Sequence, residues 1–213
     1  MQTLAGWAAL LWLGSALALF AESSSTNAPD RDERAEPVQR LDPAVAALIE
    51  LEAADGTSVR PFEAGKSAVH VFLFLSNECP IANRYAPEFR RIQAANRDRG
   101  VRFWFVHPFA DESRAAVAKH AREYSLPGTV LLDPGQRLTR MLGATVTPEA
   151  AVVDREYRLA YRGRIDDRFP QFGRERARAA RLDLREALDA VLAGRPVAEP
   201  RTRAIGCSIP RVP

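Results

Sequence analysis

The sequence is poor in cysteine, histidine and lysine. Its 213 residues include 2 cysteines and 3 histidines, and Lys66 and Lys119 are the only lysines. Cys79 and Cys207 are too few for a disulfide scaffold or a four-cysteine zinc site. With so little lysine, the basic side of the charge balance is almost all arginine. The 30 basic and 27 acidic residues leave a formal net charge of +3, and the two signs alternate along the chain. Nucleic-acid binding needs a one-sided basic face, and no such run is present. Internal repeats and heptads are also lacking. An apolar content of 46% and a charged content of 27%, with 12 Gly and 15 Pro, exclude a collagenous chain, a polar disordered one and a multi-span membrane protein. The length suits one domain of roughly 150 residues with extensions.

The first segment reads as an address. Residues 1–21 carry no charged side chain, and Leu4–Ala21 is nearly continuous apolar sequence. Small residues at Ser15, Ala16, Ala18 and Ala21 precede a jump in polarity at Glu22-Ser23-Ser24-Ser25. This is the pattern of a secretory signal peptide cut near Ala18 or Ala21, which predicts an exported, periplasmic or extracellular protein. The basic n-region is missing, and residues 4–21 are about long enough to span a bilayer if left uncut. A membrane anchor is therefore the second reading and a cytoplasmic protein the third. Both export readings place the two thiols in an oxidising compartment. Residues 22–43, rich in Ser, Asp, Glu, Arg and Pro, form a flexible linker.

Residues 44–193 carry the pattern of a single α/β domain. Ala54-Asp55-Gly56-Thr57 signals a turn, and pairing Leu48–Leu51 with Val59–Phe62 across it predicts a hairpin. Val69–Leu75 is a continuous apolar, β-branched and aromatic run, which fits a central strand buried on both faces. Ile81, Tyr85, Phe89 and Ile92 have helical spacing over Pro80–Arg99, closed by Gly100. A second strand follows at Val101–Val106. A helix over Asp111–Tyr124 has acidic residues at its start and Lys119, His120 and Arg122 at its end. Val130–Leu132 reads as a strand, Gln136–Leu142 as a helix, and Ala150–Asp154 with Arg158–Arg162 as an antiparallel hairpin. The last helix is expected over Arg181–Ala193, closed by Gly194. This order predicts a mixed central sheet with helices on both faces, and an extended C-terminal tail over 194–213.

In such a sheet the reactive loops lie beyond the carboxyl ends of the central strands. Cys79 is there: it follows a buried strand and opens a helix, with Pro80 at a first-turn position. The positive helix end and its free N–H groups stabilise a thiolate at that place, with Glu78 opposing and Arg84 assisting. The alternative is a small buried core cysteine.

Phe74-Leu75-Ser76-Asn77-Glu78-Cys79-Pro80-Ile81-Ala82-Asn83-Arg84-Tyr85-Ala86-Pro87 resembles the active-site segment of the thioredoxin superfamily. Cys79 stands where the attacking cysteine of Cys-x-x-Cys would be, and Pro87 falls on the usual helix proline. Gly143-Ala144-Thr145-Val146-Thr147-Pro148, just before a strand, resembles the loop of that superfamily that faces the cysteine, which implies a cis bond between Thr147 and Pro148. The resemblance covers about Ala44–Leu192. It extends to Leu131-Leu132-Asp133 and Tyr161-Arg162-Gly163-Arg164-Ile165-Asp166-Asp167, and is nearest to the peroxiredoxin-like redoxins of exported bacterial proteins, the alkyl hydroperoxide reductase/thiol-specific antioxidant group. It implies a thioredoxin-like fold and a thiol-dependent, antioxidant oxidoreductase with no cofactor and no metal. The implied partners are a peroxide or a protein or small-molecule disulfide, and an external thiol reductant. Cys79 would be the attacking thiolate, Ser76 and an arginine such as Arg84 (or Arg162 or Arg164) would orient peroxide, and Thr147-Pro148 would position the substrate.

The chain departs from these patterns at two positions. Ala82 stands where a thioredoxin has its second cysteine, so Cys79-Pro80-Ile81-Ala82 cannot release a mixed disulfide alone. Phe72 replaces a proline of the peroxiredoxin pattern. The second thiol, Cys207, lies in the tail at Ile205-Gly206-Cys207-Ser208-Ile209-Pro210, where Gly206 permits close backbone approach. It resolves a sulfenic acid on Cys79, or forms a permanent disulfide worth about 4 kcal/mol, or crosslinks subunits, whose number the sequence does not give. Two other functions stay open: a non-catalytic thioredoxin-fold binding module, and a Cu(I)-handling protein using Cys79 and His107. His70 reads as a satisfied core residue, Asp166-Asp167 as a solvated turn, and Arg174–Arg181 as a solvated face.

Overall fold

Asp42 followed by Pro43 starts the first helix. The computed structural model describes residues 39–64 and 68–212, all within one compact unit; the expected signal segment 1–21 and residues 22–38 of the expected linker lie outside the described residues. The Asp42 side chain caps α1 (Pro43–Ala47), with Pro43 in the first turn. Then come β1 (Leu51–Ala53), β2 (Ser58–Val59), α2 (Pro61–Ala64), β3 (Val69–Phe74), α3 (Pro80–Ala95), β4 (Val101–His107) and α4 (Arg114–Glu123). The chain continues through β5 (Thr129–Leu132), α5 (Arg137–Leu142), β6 (Val146–Thr147), β7 (Glu149–Val153), β8 (Leu159–Gly163), α6 (Asp183–Leu192) and β9 (Cys207–Ser208).

A seven-stranded sheet runs in the order β2-β1-β5-β4-β3-β7-β8. β3 is buried at every position because it pairs on both edges, parallel to β4 and antiparallel to β7. Its side chains alternate between two cores. Val71 and Leu73 pack with Tyr85 and Phe89 of α3, Val117 of α4 and Leu184 and Leu188 of α6. Phe72 and Phe74 pack on the other side with Ala46 of α1, Phe62 of α2 and Leu138 and Leu142 of α5. The thioredoxin-like mixed α/β architecture is thus as the sequence predicts. His70 is in the core, accepting a hydrogen bond from Trp104 Nε1 at 3.1 Å.

Three readings need correction. The turn at Ala54–Thr57 is right, but the hairpin pairs Leu51 with Val59 and Glu52 with Ser58. Leu48 is the C-cap of α1 and Phe62 lies in α2, since Asp42-Pro43 nucleates a helix upstream. The fourth helix begins at Arg114, with Ser113 as its N-cap, so Asp111 and Glu112 precede it. Asp166 and Asp167 are buried rather than solvated. They do point apart: Asp166 accepts from Tyr85 Oη at 2.5 Å, and Asp167 from the N–H groups of Ala180 and Arg181. Each carboxylate closes a loop whose N–H groups would otherwise be orphaned. Among the described residues, no helix is long and apolar enough to cross a membrane.

Candidate functional site

Cys79 stands at the seam between β3 and α3. It is the N-cap of α3, in extended conformation (φ −79°, ψ 106°), with Pro80 at the first helical position. Its sulfur accepts from Ala82 N–H at 3.5 Å and donates to the Thr147 carbonyl at 2.9 Å. The residue is only 1% exposed.

Across from Cys79 the Thr147–Pro148 bond is cis. Pro87 lies within α3, as the sequence predicts. Thr147 belongs to β6, which pairs antiparallel with β9 of the tail in the register Val146–Ser208 and Thr147–Cys207. Gly206 presses against this loop: a Cβ there would collide with the Thr147 carbonyl. Cys207 thereby comes within interaction range of Cys79. Burial pushes the Cys207 thiol up to about 11, and its hydrogen bond to Cys79 and the charge of that sulfur act in the same direction. Cys207 therefore stays protonated at neutral pH. Neither cysteine is in a disulfide.

Two carboxylates brace this centre, Glu149 buried and Glu112 half-buried. Glu149, next to the cis bond, accepts from Thr145 N–H at 2.7 Å and Val146 N–H at 3.3 Å, with Arg162 Nε 3.6 Å away. Burial raises its carboxyl despite those contacts. Arg162 also donates to the carbonyl of Gly143 at 2.7 Å, so the loop 143–148 is tied at both ends. Glu112 lies behind the Cys79 loop. Its Oε1 accepts from Ser76 Oγ at 2.8 Å and Asn77 N–H at 2.7 Å, and its Oε2 meets His107 Nδ1 at 2.6 Å. His120 packs edge-on against His107 and bonds Asn83 Oδ1 at 2.7 Å. Burial, with His107 beside it, depresses the His120 imidazole to about 4, so it is neutral at physiological pH.

Of the residues singled out in the sequence, Cys79, Thr147, Pro148 and Cys207 converge. Ser76 does not face into this group with a free hydroxyl: it is engaged by Glu112 and accepts from Glu78 N–H at 3.2 Å. Arg84 goes to the surface, 62% exposed, and pairs with Glu175 at 2.5 Å. Arg164 is held by Asp183. Sequence reasoning missed Glu112, Glu149 and Gln136, the last of which clamps the tail. Position beside the cis bond was the signal for Glu149; Glu112 carried none beyond a helix-start acid. His107 meets Glu112 through Nδ1, while its Nε2 is buried with no hydrogen-bond partner, and among the described residues no group of three or more His, Cys, Asp or Glu is arranged to hold a metal ion. Because exposed ion pairs contribute little, Arg84→Ala is expected to leave the reaction rate of Cys79 within about threefold of wild type and stability within about 0.5 kcal/mol. Alkylation kinetics and urea unfolding check this.

The redoxin family model matches residues 34–175 of the chain. An uncharacterized conserved protein of Geobacillus kaustophilus is 30% identical, with 83% of this chain and 93% of that one covered and a TM-score of 0.70. A hypothetical protein of Sinorhizobium meliloti 1021 is 28% identical, with 81% and 92% covered and a TM-score of 0.68. No curated protein matches the chain.

Proposed function

The chain belongs to the redoxin family, and from that premise we propose that it is a thiol oxidoreductase in which Cys79 attacks an oxidised substrate and Cys207 of the same chain resolves the product. The observation that carries this reading is the convergence of the Cys79 sulfur, the Thr147 carbonyl before the cis bond, and the Cys207 thiol. Ala82 contributes only its N–H group to Cys79, so the resolving step falls to the tail.

With a hydroperoxide the Cys79 thiolate attacks the terminal oxygen. The O–O bond breaks and the alkoxide or hydroxide leaves, taking up a proton. The sulfenic acid on Cys79 then receives Cys207: a sulfur–sulfur bond forms and water departs. An external dithiol returns both electrons by thiol–disulfide exchange, becoming a disulfide itself. With a disulfide substrate, Cys79 forms a mixed disulfide that Cys207 displaces. Position supports this order of events: Cys79 caps the N-terminus of α3, whereas Cys207 lies in the tail strand β9. The charge-free apolar segment 1–21 supports work in an exported, oxidising setting.

Mass spectrometry under non-reducing conditions, after one equivalent of hydrogen peroxide, tests the proposal. A monomer lighter by two hydrogens is expected, with one peptide pair joining Cys79 to Cys207. In Cys207→Ser the product is instead a sulfenic acid on Cys79, trapped by dimedone or oxidised on to sulfinic acid. A crosslink only between chains, or two thiols that survive peroxide, overturns the assignment.

A further inference from the structure

The tail does more than carry Cys207. Upstream of it, Arg162 N–H donates to Pro200 O at 2.9 Å, Thr202 N–H returns to Arg162 O at 3.1 Å, and the Thr202 hydroxyl meets Tyr161 Oη at 2.6 Å. Downstream, Ile209 N–H donates to Thr145 O at 2.9 Å, Gln136 Nε2 donates to Pro210 O at 2.6 Å, and Val212 N–H donates to Gln136 Oε1 at 3.2 Å. A strap tied on both sides thus lays β9 along β6, the two residues that lead into Pro148. Extended peptides dock by adding a strand to a free edge, and this edge, beside the reactive sulfur, is already taken. Gly206 makes the fit possible, because any side chain would strike the Thr147 carbonyl.

Resting on the thiol-oxidoreductase reading, we propose that residues 205–209 are a resident occupant of the Cys79 groove, which must leave before a peptide-borne disulfide can dock, so that Gly206 is a specificity determinant of the site. A small oxidant has no main chain to pair. It needs only local opening above a sulfur that is 1% exposed, whereas an extended peptide must replace β9 along β6. The closed protein therefore discriminates by the size and backbone of its oxidant.

Two disulfide probes with the same leaving group separate these demands. One is dithiobis(nitrobenzoate); the other is an extended single-cysteine peptide carried as its mixed disulfide with thionitrobenzoate. In both, Cys79 attacks, the probe's sulfur–sulfur bond breaks, and thionitrobenzoate leaves with the electron pair and is read by its absorbance. The full chain is used in a Cys207→Ser background, so that Cys79 alone reports. Adding Gly206→Ala is expected to raise the rate with the peptide probe about tenfold relative to the rate with the small probe, because the competent open form becomes more populated. Ile209→Pro, which removes the N–H donated to Thr145, shifts the ratio the same way and decides the matter if Gly206→Ala does not fold. An unchanged ratio in the folded variants overturns the resident-strap proposal and leaves the redox reading standing. If Cys79 reacts with neither probe in any variant, the redox reading falls and the strap proposal with it.

Discussion

Replacing Cys79 by serine is expected to lower turnover of a hydroperoxide or disulfide, with a dithiol as reductant, by about a thousandfold or more. Serine does not ionise near neutral pH, and its oxygen cannot shuttle between thiol, sulfenic and disulfide states. The substitution is nearly isosteric. A hydroxyl can still donate to the Thr147 carbonyl and accept from Ala82 N–H, the two bonds the sulfur makes. Unfolding should therefore shift by no more than about 1.5 kcal/mol. Steady-state consumption together with urea unfolding separates the two effects. A folded Cys79→Ser protein that turns over at the wild-type rate would exclude every mechanism that starts at this sulfur.

The architecture was readable where one residue type has few physical options. The run Val69–Phe74 could be accommodated only with both faces covered, and it sits between β4 and β7. Cys79 before Pro80 at a strand-to-helix junction placed the sulfur at the helix N-cap. The cis bond at Thr147–Pro148 followed from resemblance and is present.

Reading failed where a side chain has several partners of equal local merit. Glu112 sits one residue before a Ser N-cap, and a carboxylate there serves the helix dipole as well as it serves a distant donor. Nothing local said that it would turn inward to Ser76 and His107. Asp166 and Asp167 looked like turn residues because short acidic side chains favour turns. Their actual role is to accept N–H and hydroxyl donors from Ala180, Arg181 and Tyr85, far along the chain. Cys207 was legible in part: two of its three sequence readings set it against Cys79, and its flanking isoleucines and Gly206 marked it as docked. The β6–β9 pairing supplied the register, which a tail without periodicity does not announce.

Glu112 is expected to have the largest single effect on stability among the residues around the site. Its two oxygens accept from Ser76 Oγ and Asn77 N–H and meet His107 Nδ1, all at 2.8 Å or less, with the carboxylate side chain only 10% exposed. Glu112→Ala strips a half-buried charged acceptor from all three groups at once and should cost about 3 kcal/mol, a large part of the roughly 5–15 kcal/mol that holds a domain together. Glu112→Gln keeps the shape and one acceptor oxygen but loses the charge, and should cost about 1–3 kcal/mol. Burial alone would raise this carboxyl. The hydrogen bond and charge of His107, with Ser76 and the Asn77 amide, outweigh burial and hold it below its ordinary value. A carboxyl lowered in the folded state stabilises fully above its unfolded value of about 4.3, and that contribution is lost as pH falls through the folded value. Urea unfolding of wild type and Glu112→Gln at about pH 7 and about pH 3 isolates this group from the other carboxylates, because the difference between the two proteins should shrink on acidification. A gap of the same size at both pH values would mean that the ionised carboxylate does not hold the Cys79 loop. The loop's geometry would then rest on the packing of β3 and α3 and on its other hydrogen bonds, from Asn83 Nδ2 to Asn77 O and from Cys79 to the Thr147 carbonyl.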